Sequence, residues 1–237
     1  MSELSIYSPF CFDVSIKPLP EYPSVLLGSA IFSQTAYQDH LFVDYGITRP
    51  ESLKNAVVKR KSEFLAGRAL SSIVLRQLGV TETEILIGKH RNPLWPKGAR
   101  GSISHAGDTV LSAVSLEESV SAIGIDVEEI MGSETASNIY KSIVNDDELA
   151  LMAETGIPFE KMLTVVFSAK ESFFKAAYPS VGEYFDFDAV SLVKVDLLSR
   201  SFTFCLERNL SSCFQCGRLI HGDFSEFNHL IITYIVL

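Results

Sequence analysis

Between Pro50 and Gly79 the apolar residues Val58, Leu65, Ala69 and Ile73 recur at helical spacing, and Gly79 supplies a C-terminal stop. Such a helix must bury its apolar stripe, and much of the chain beyond it reads as strand. Glu84 to Ile87 is a short strand, Gly88 to Gly101 a Gly- and Pro-rich loop around Trp95, and Val110 to Ser115 and Ala122 to Val127 are buried strands. Helices are expected over Asp146 to Glu154 and Val165 to Ala177, then strands over Val190 to Leu197, Phe202 to Leu206 and Leu230 to Val236. The stretch before about Arg49, broken by Pro9, Pro18, Pro20 and Pro23, reads as irregular. The fold class is α+β, with helices packed on largely antiparallel sheets.

Composition narrows the partners. With 237 residues the chain has room for one large domain or two small ones, and a hydrophobic fraction of 47% with 16 Phe supplies a core. A formal charge of -9 argues against a nucleic-acid binder that works through a broad basic face, while leaving room for a local basic pocket holding a small anion. No early stretch has the pattern of a signal peptide, and the apolar run Leu230 to Leu237 is too short to span a bilayer, so a soluble cytoplasmic protein is expected. Cys11, Cys205, Cys213 and Cys216 are too few for a disulfide framework. Cys213-x-x-Cys216, with Cys205 and His221 nearby, could also be a zinc site or a redox pair, but its spacing to the other ligands is irregular.

Four segments carry chemistry. In Gly124-Ile125-Asp126-Val127-Glu128, strand alternation puts Asp126 and Glu128 on one face and directs Ile125 and Val127 to the core. Two carboxylates sharing a face suit a hard divalent cation, although a strand end with solvated acids reads the same way. In Phe167-Ser168-Ala169-Lys170-Glu171-Ser172-Phe173-Phe174-Lys175, Glu171 and Lys175 lie one helical turn apart, as an ordinary surface ion pair also would. Lys59, Arg60 and Lys61 open the first helix, which later carries Arg68, and Lys89, His90 and Arg91 extend the basic set. Gly101-Ser102-Ile103-Ser104-His105 ends in a histidine beside serine hydroxyls, a set able to donate to a phosphate. No Gly-x-Ser-x-Gly elbow is present to support a Ser-His-acid triad.

In this order, Lys59 to Arg68 (KRKSEFLAGR), Pro93 to Gly98 (PLWPKG), Gly101 to His105 (GSISH), Gly124 to Glu128 (GIDVE) and Phe167 to Lys175 (FSAKESFFK) resemble the 4'-phosphopantetheinyl transferase superfamily. The resemblance is nearest to its single-chain branch serving siderophore, polyketide and related synthetases, and it covers roughly residues 55 to 180. It implies transfer of the phosphopantetheine arm of coenzyme A onto a serine of an apo carrier protein, with release of 3',5'-adenosine bisphosphate. It also implies two similar α+β halves packed as an intramolecular pseudo-dimer, residues 1–120 and 121–237, with the active site in the cleft between them, in a monomer.

Carried over to this chain, the resemblance makes Asp126, Glu128 and Glu171 the ligands of Mg²⁺ or Mn²⁺. Lys175 contacts the coenzyme's pyrophosphate, and Arg60, Arg68, Arg91, Ser104 and His105 are coenzyme contacts. Glu171 and Lys175 become the catalytic pair, with Glu171 taking the serine proton directly or through water. Lys170, one residue earlier, is a weaker candidate for the same site, since its place before Glu171 allows it to turn away. Phe167 stands where the family often has Trp, and residues 1 to 50 and 185 to 237 match no motif, so carrier specificity is not legible. A metal-dependent phosphohydrolase would use the same acids without explaining the basic helix or Gly101 to His105. A catalytically silent coenzyme binder would not require all three acids.

Overall fold

The computed structural model describes residues 9–237, and the chain divides into two compact units, one ending at Ser121 and the other spanning Ala122–Leu237. In the first, β1 (Cys11–Pro18) and β2 (Leu26–Phe32) occupy the stretch expected to be irregular. The expectation failed because the prolines stand outside the ladder or at its end: Pro9 precedes β1, Pro18 closes it, and Pro20 and Pro23 lie in the connection to β2. A single-turn helix, α1 (Leu41–Asp44), precedes the long α2 (Val58–Gln77), and a two-residue pairing of β3 (Leu86–Ile87) with β4 (Pro93–Leu94) leads into β5 (Arg100–Ala106) and β6 (Thr109–Ser115). The four long strands form an antiparallel sheet in the order β1-β2-β6-β5.

Helix α2 lies on that sheet at close range, since a Cβ on Gly28 would meet Leu70 and Val74, and one on Gly67 would meet Ile103. Its buried stripe runs through Leu65, Ala66, Ala69, Leu70 and Val74, while Val58, expected inside, is 51% exposed. The helix ends as expected at Gly79: with φ at +83° its amide donates to Arg76 and that of Val80 to Leu75, a reciprocal closure that a side chain would strain.

The second unit runs β7 (Ile123–Glu129), α3 (Ser133–Ile143), α4 (Asp146–Glu154), α5 (Phe159–Val181), β8 (Val190–Asp196), β9 (Ser201–Leu206), β10 (Leu219–Phe227) and β11 (Leu230–Val236). Its sheet is antiparallel in the order β7-β11-β10-β9-β8, so β7 is an edge strand. Neither α3 nor β10 is obvious in the sequence, because α3 is a short polar segment and β10 carries Gly222, His221 and Asp223 at its centre. Helix α5 extends beyond the expected Val165 to Ala177 at both ends and stops at Gly182. Phe173, Leu163 and Val166 of α5 join Phe202, Phe204, Ile231 and Ile235 in one core.

Where α5 crosses β7, Gly124 lies so near the helix that a Cβ would overlap the Ser172 carbonyl. Opposite Asp126 in the ladder stands Thr233, whose hydroxyl is 2.9 Å from Ser168 Oγ and 2.8 Å from Ser172 Oγ, both on α5. Directly paired residues share a face, so Gly124, Asp126 and Glu128 lie on the side that α5 covers. This corrects the expected division of the strand: Ile125 and Val127 are fully buried on the other face, and the acids share the helix-covered face. Among the described residues no helix is long and apolar enough to cross a membrane. Gly124→Ala is expected to lower stability by about 1–3 kcal/mol through overpacking against the Ser172 backbone. Urea unfolding should show a lower midpoint than wild type.

Candidate functional site

The acids and the lysine of the second unit form one electrostatic group. Asp126, 3% exposed in the middle of β7, accepts a 2.7 Å hydrogen bond from Lys175 Nζ, and the same ammonium donates to the Ile125 carbonyl at 3.1 Å. The Asp126–Lys175 contact follows from strand and helix registers: Gly124 lets α5 approach, and Lys175 then reaches the next inward-facing residue of the edge strand. Glu128, one step further along the same face, is half-buried, and its carboxyl is pushed from an ordinary 4.5 up to about 7. Burial is the main cause, followed by the charge of Asp126; Lys175 opposes the rise, and Glu171 and Glu129 add to it. The Glu171 carboxyl is also raised, chiefly by burial and further by Asp126, against the pull of Lys175.

The acids therefore feel one another, but they do not form a ready cage. Among the described residues no group of three or more His, Cys, Asp or Glu side chains stands ready to hold a metal ion. Lys175 instead supplies the positive charge at Asp126. The donor chemistry still suits a hard divalent cation, which needs only one or two protein carboxylates when phosphate oxygens and waters complete its shell.

The first unit holds a separate cationic group. Arg60 Nη1 and His105 Nε2 lie 3.8 and 3.7 Å from Glu63 Oε2, and Lys59 Nζ lies 4.0 Å from Glu63 Oε1. Glu63 sits in the α2 motif among cations that draw more notice in the sequence; its buried position is what the sequence concealed. Arg68, expected as a coenzyme contact, is 7% exposed, with its guanidinium 4.8 Å from the Phe64 ring centroid. Its pKa is lowered to about 10 by burial and then by Arg60, and its Nε is buried with no hydrogen-bond partner among the described residues.

Two candidates stand apart from this group. On β5, Ile103 meets Gly67 of α2, so His105 shares the helix-facing side, whereas the buried Ser104 points to the other face. Arg91 is exposed in the β3–β4 turn with φ at 66°, and its amide donates to Gly88. Trp95 packs against Gly101 and the core beside Val114, acting as a loop anchor. Lys170, the weaker candidate, turns away from the acids into a fully buried pair with Glu148. Cys213 and Cys216 are exposed free thiols.

Beside Glu171 the second unit contains a cavity of about 580 Å³ lined by Lys170, Glu171, Phe173, Phe174, Tyr184 and Phe185, among others. Phe174 and Tyr184 are stacked at 5.7 Å with an interplanar angle of 11°. Phe167, at the position often held by Trp, meets Phe187 edge to face at 5.6 Å, so the smaller ring keeps a packing role.

Comparison with known proteins identifies the family. Residues 49–115 match the 4'-phosphopantetheinyl transferase N-terminal domain, and residues 122–231 match the 4'-phosphopantetheinyl transferase superfamily domain. The chain is 30% identical to the 4'-phosphopantetheinyl transferase Svp of Streptomyces mobaraensis over 74% of each protein. This chain belongs to the 4'-phosphopantetheinyl transferase superfamily. It is also 29% identical to the 4'-phosphopantetheinyl transferase PptT of Mycobacterium tuberculosis, over 90% of this chain and 96% of that one. Enterobactin synthase component D of Salmonella typhi is 38% identical over 61% of this chain, and the match covers 59% of that relative's length.

A carboxyl raised in the folded state makes stability fall with rising pH: below 4.5 Glu128 is protonated in both states, and between 4.5 and about 7 the unfolded chain loses the proton first. Above about 7 the whole penalty is present. Glu128→Gln should flatten this decline, which urea midpoints measured across the same pH range would reveal. An equally steep decline in the variant would contradict the assignment.

Proposed function

We propose that this chain transfers the 4'-phosphopantetheine moiety of coenzyme A to a serine of an apo carrier protein, releasing 3',5'-adenosine bisphosphate. Membership of the superfamily supports the reaction class, and the observation that carries the residue assignment is the Lys175–Asp126 contact flanked by the raised carboxyls of Glu128 and Glu171. Asp126, Glu128 and Glu171 would hold Mg²⁺ or Mn²⁺, which supplies positive charge to the coenzyme's pyrophosphate when bound.

The chain's own groups account for the rest. The carrier serine oxygen forms a bond to the β-phosphorus as the bond from that phosphorus to the bridging oxygen breaks, and the electron pair leaves with adenosine bisphosphate. Glu171 accepts the serine proton, a role favoured by a carboxyl whose basicity is raised by burial. Lys175 donates to a pyrophosphate oxygen, stabilising the charge that develops as the bond breaks. Arg60, Arg68 and His105 bind coenzyme phosphates; the buried Nε of Arg68, which has no partner among the described residues, supports an anionic oxygen as its acceptor. Arg91 and Ser104 are weaker members of this set, given their separate surroundings in the first unit.

The carrier is an acyl, aryl or peptidyl carrier domain, and relatives named as enterobactin synthase components favour one belonging to a synthase assembly. Four free cysteines fit a reducing cytoplasmic setting, and we propose a monomer.

Intact mass spectrometry of an apo carrier domain mixed with coenzyme A, Mg²⁺ and this protein should show one phosphopantetheine increment on a serine. Coenzyme binding without any increment on fatty-acid, polyketide or peptide carriers would overturn the reading. Asp126→Ala and Glu171→Ala are expected to fold and to lose about 10²-fold or more in kcat, in line with removal of charge stabilisation or of a general base. Near-normal turnover in either would refute its role.

A further inference from the structure

We infer that the buried Lys170–Glu148 pair is a positioning device that ties two stretches of the cavity lining together and fixes the turn of α5 carrying Glu171. This rests on the transferase reading above. Each side chain of the pair is 1% exposed, and Lys170 Nζ lies 2.8 Å from Glu148 Oε1 and 3.0 Å from Oε2. The ammonium also donates to the Ile143 carbonyl at 2.7 Å and the Phe187 carbonyl at 3.2 Å. Ile143 ends α3 next to Ser142, and Phe187 opens a short 3₁₀ turn; Ser142 and Phe187 both line the cavity.

Glu148 is equally committed. Its Oε1 accepts from the Leu192 amide at 2.7 Å in β8, and its Oε2 accepts from the Asn145 amide at 2.9 Å, completing the capping box of α4. One pair therefore joins α5, α4, β8, the end of α3 and the 3₁₀ turn. A buried ion pair is seldom needed for stability, because apolar side chains of similar volume often serve as well. A single ammonium, however, can grip carbonyls from two separate segments at once, which no apolar side chain can do. The lining beyond Phe187 is held by rings on the same helix: Phe185 meets Phe173 and Phe174, and Tyr184 stacks on Phe174. Lys170 thus clamps the lining on one side of Glu171, and Phe173 and Phe174 clamp it on the other.

Lys170→Met alone strands a buried carboxylate and is expected to lower the melting midpoint sharply. The informative protein is the double variant Lys170→Met with Glu148→Gln, which contains no buried charge at this point and retains a side chain able to cap α4. Its melting midpoint should stay within a few degrees of wild type, while amide exchange at 142–143 and 184–188 quickens by about tenfold. In the carrier assay its kcat should fall about tenfold with the calorimetric Kd for coenzyme A held within about twofold. Unchanged exchange with unchanged kcat would overturn the inference. So would exchange that rises evenly through the second unit with a depressed midpoint, which would make the pair a plain stability element. If the wild-type protein itself transfers nothing, the transferase reading falls, while the exchange data still decide whether the pair holds the lining together.

Discussion

The approach of α5 to β7 at Gly124 governs the chemistry of the second unit. Because no Cβ separates them, the Ser172 backbone rests on the edge strand, and the next inward residue, Asp126, comes within 2.7 Å of Lys175. A helix this close cannot leave polar groups unmatched beneath it. Thr233, Ser168 and Ser172 answer one another there with hydroxyl contacts near 2.9 Å, and Ser172 also donates to the Thr233 carbonyl at 3.0 Å. These contacts set the register of α5, and the register decides which of its side chains face the acids.

Placing carboxylates on a helix-covered face is unfavourable unless the charge is used. Here the strain is visible as raised carboxyls at Glu128 and Glu171, relieved only in part by Lys175. Raised acids beside the Lys175 ammonium are the arrangement on which the proposed cation and pyrophosphate contacts rest. The first unit has the reverse arrangement, with Lys59, Arg60 and His105 around the buried Glu63 and Arg68 sunk against Phe64. Each unit thus keeps a small balancing charge of the opposite sign within its own cluster, despite a net charge of -9 for the chain.

Much of the fold was legible where one local rule acts alone. Gly79 ends α2 because only a left-handed residue closes that hydrogen-bond pattern, and the expected Asp146 to Glu154 helix is found with those bounds as α4. The prolines before residue 24 misled because a proline forbids a strand centre but not a strand end, and sequence alone does not say which it occupies. Strand β10 was obscured by Gly222, which is there because the Phe202 ring fills the space a side chain would need.

For the site, the residue types and their order were set by the sequence: spacing put Asp126 with Glu128 and Glu171 with Lys175, and only the resemblance carried by the order of the motifs joined the two pairs into one group. Alternation also correctly paired Asp126 with Glu128. Tertiary structure alone decided that their face lies under α5, that Lys175 meets Asp126, that Ser104 and His105 part to opposite faces of the sheet, and that Lys170 and Glu148 find each other across 22 residues. The physical reason is range. Capping and alternation act over a few residues along the chain, whereas burial, and with it the pKa of a carboxyl or the choice of an ion-pair partner, depends on which distant element packs above it.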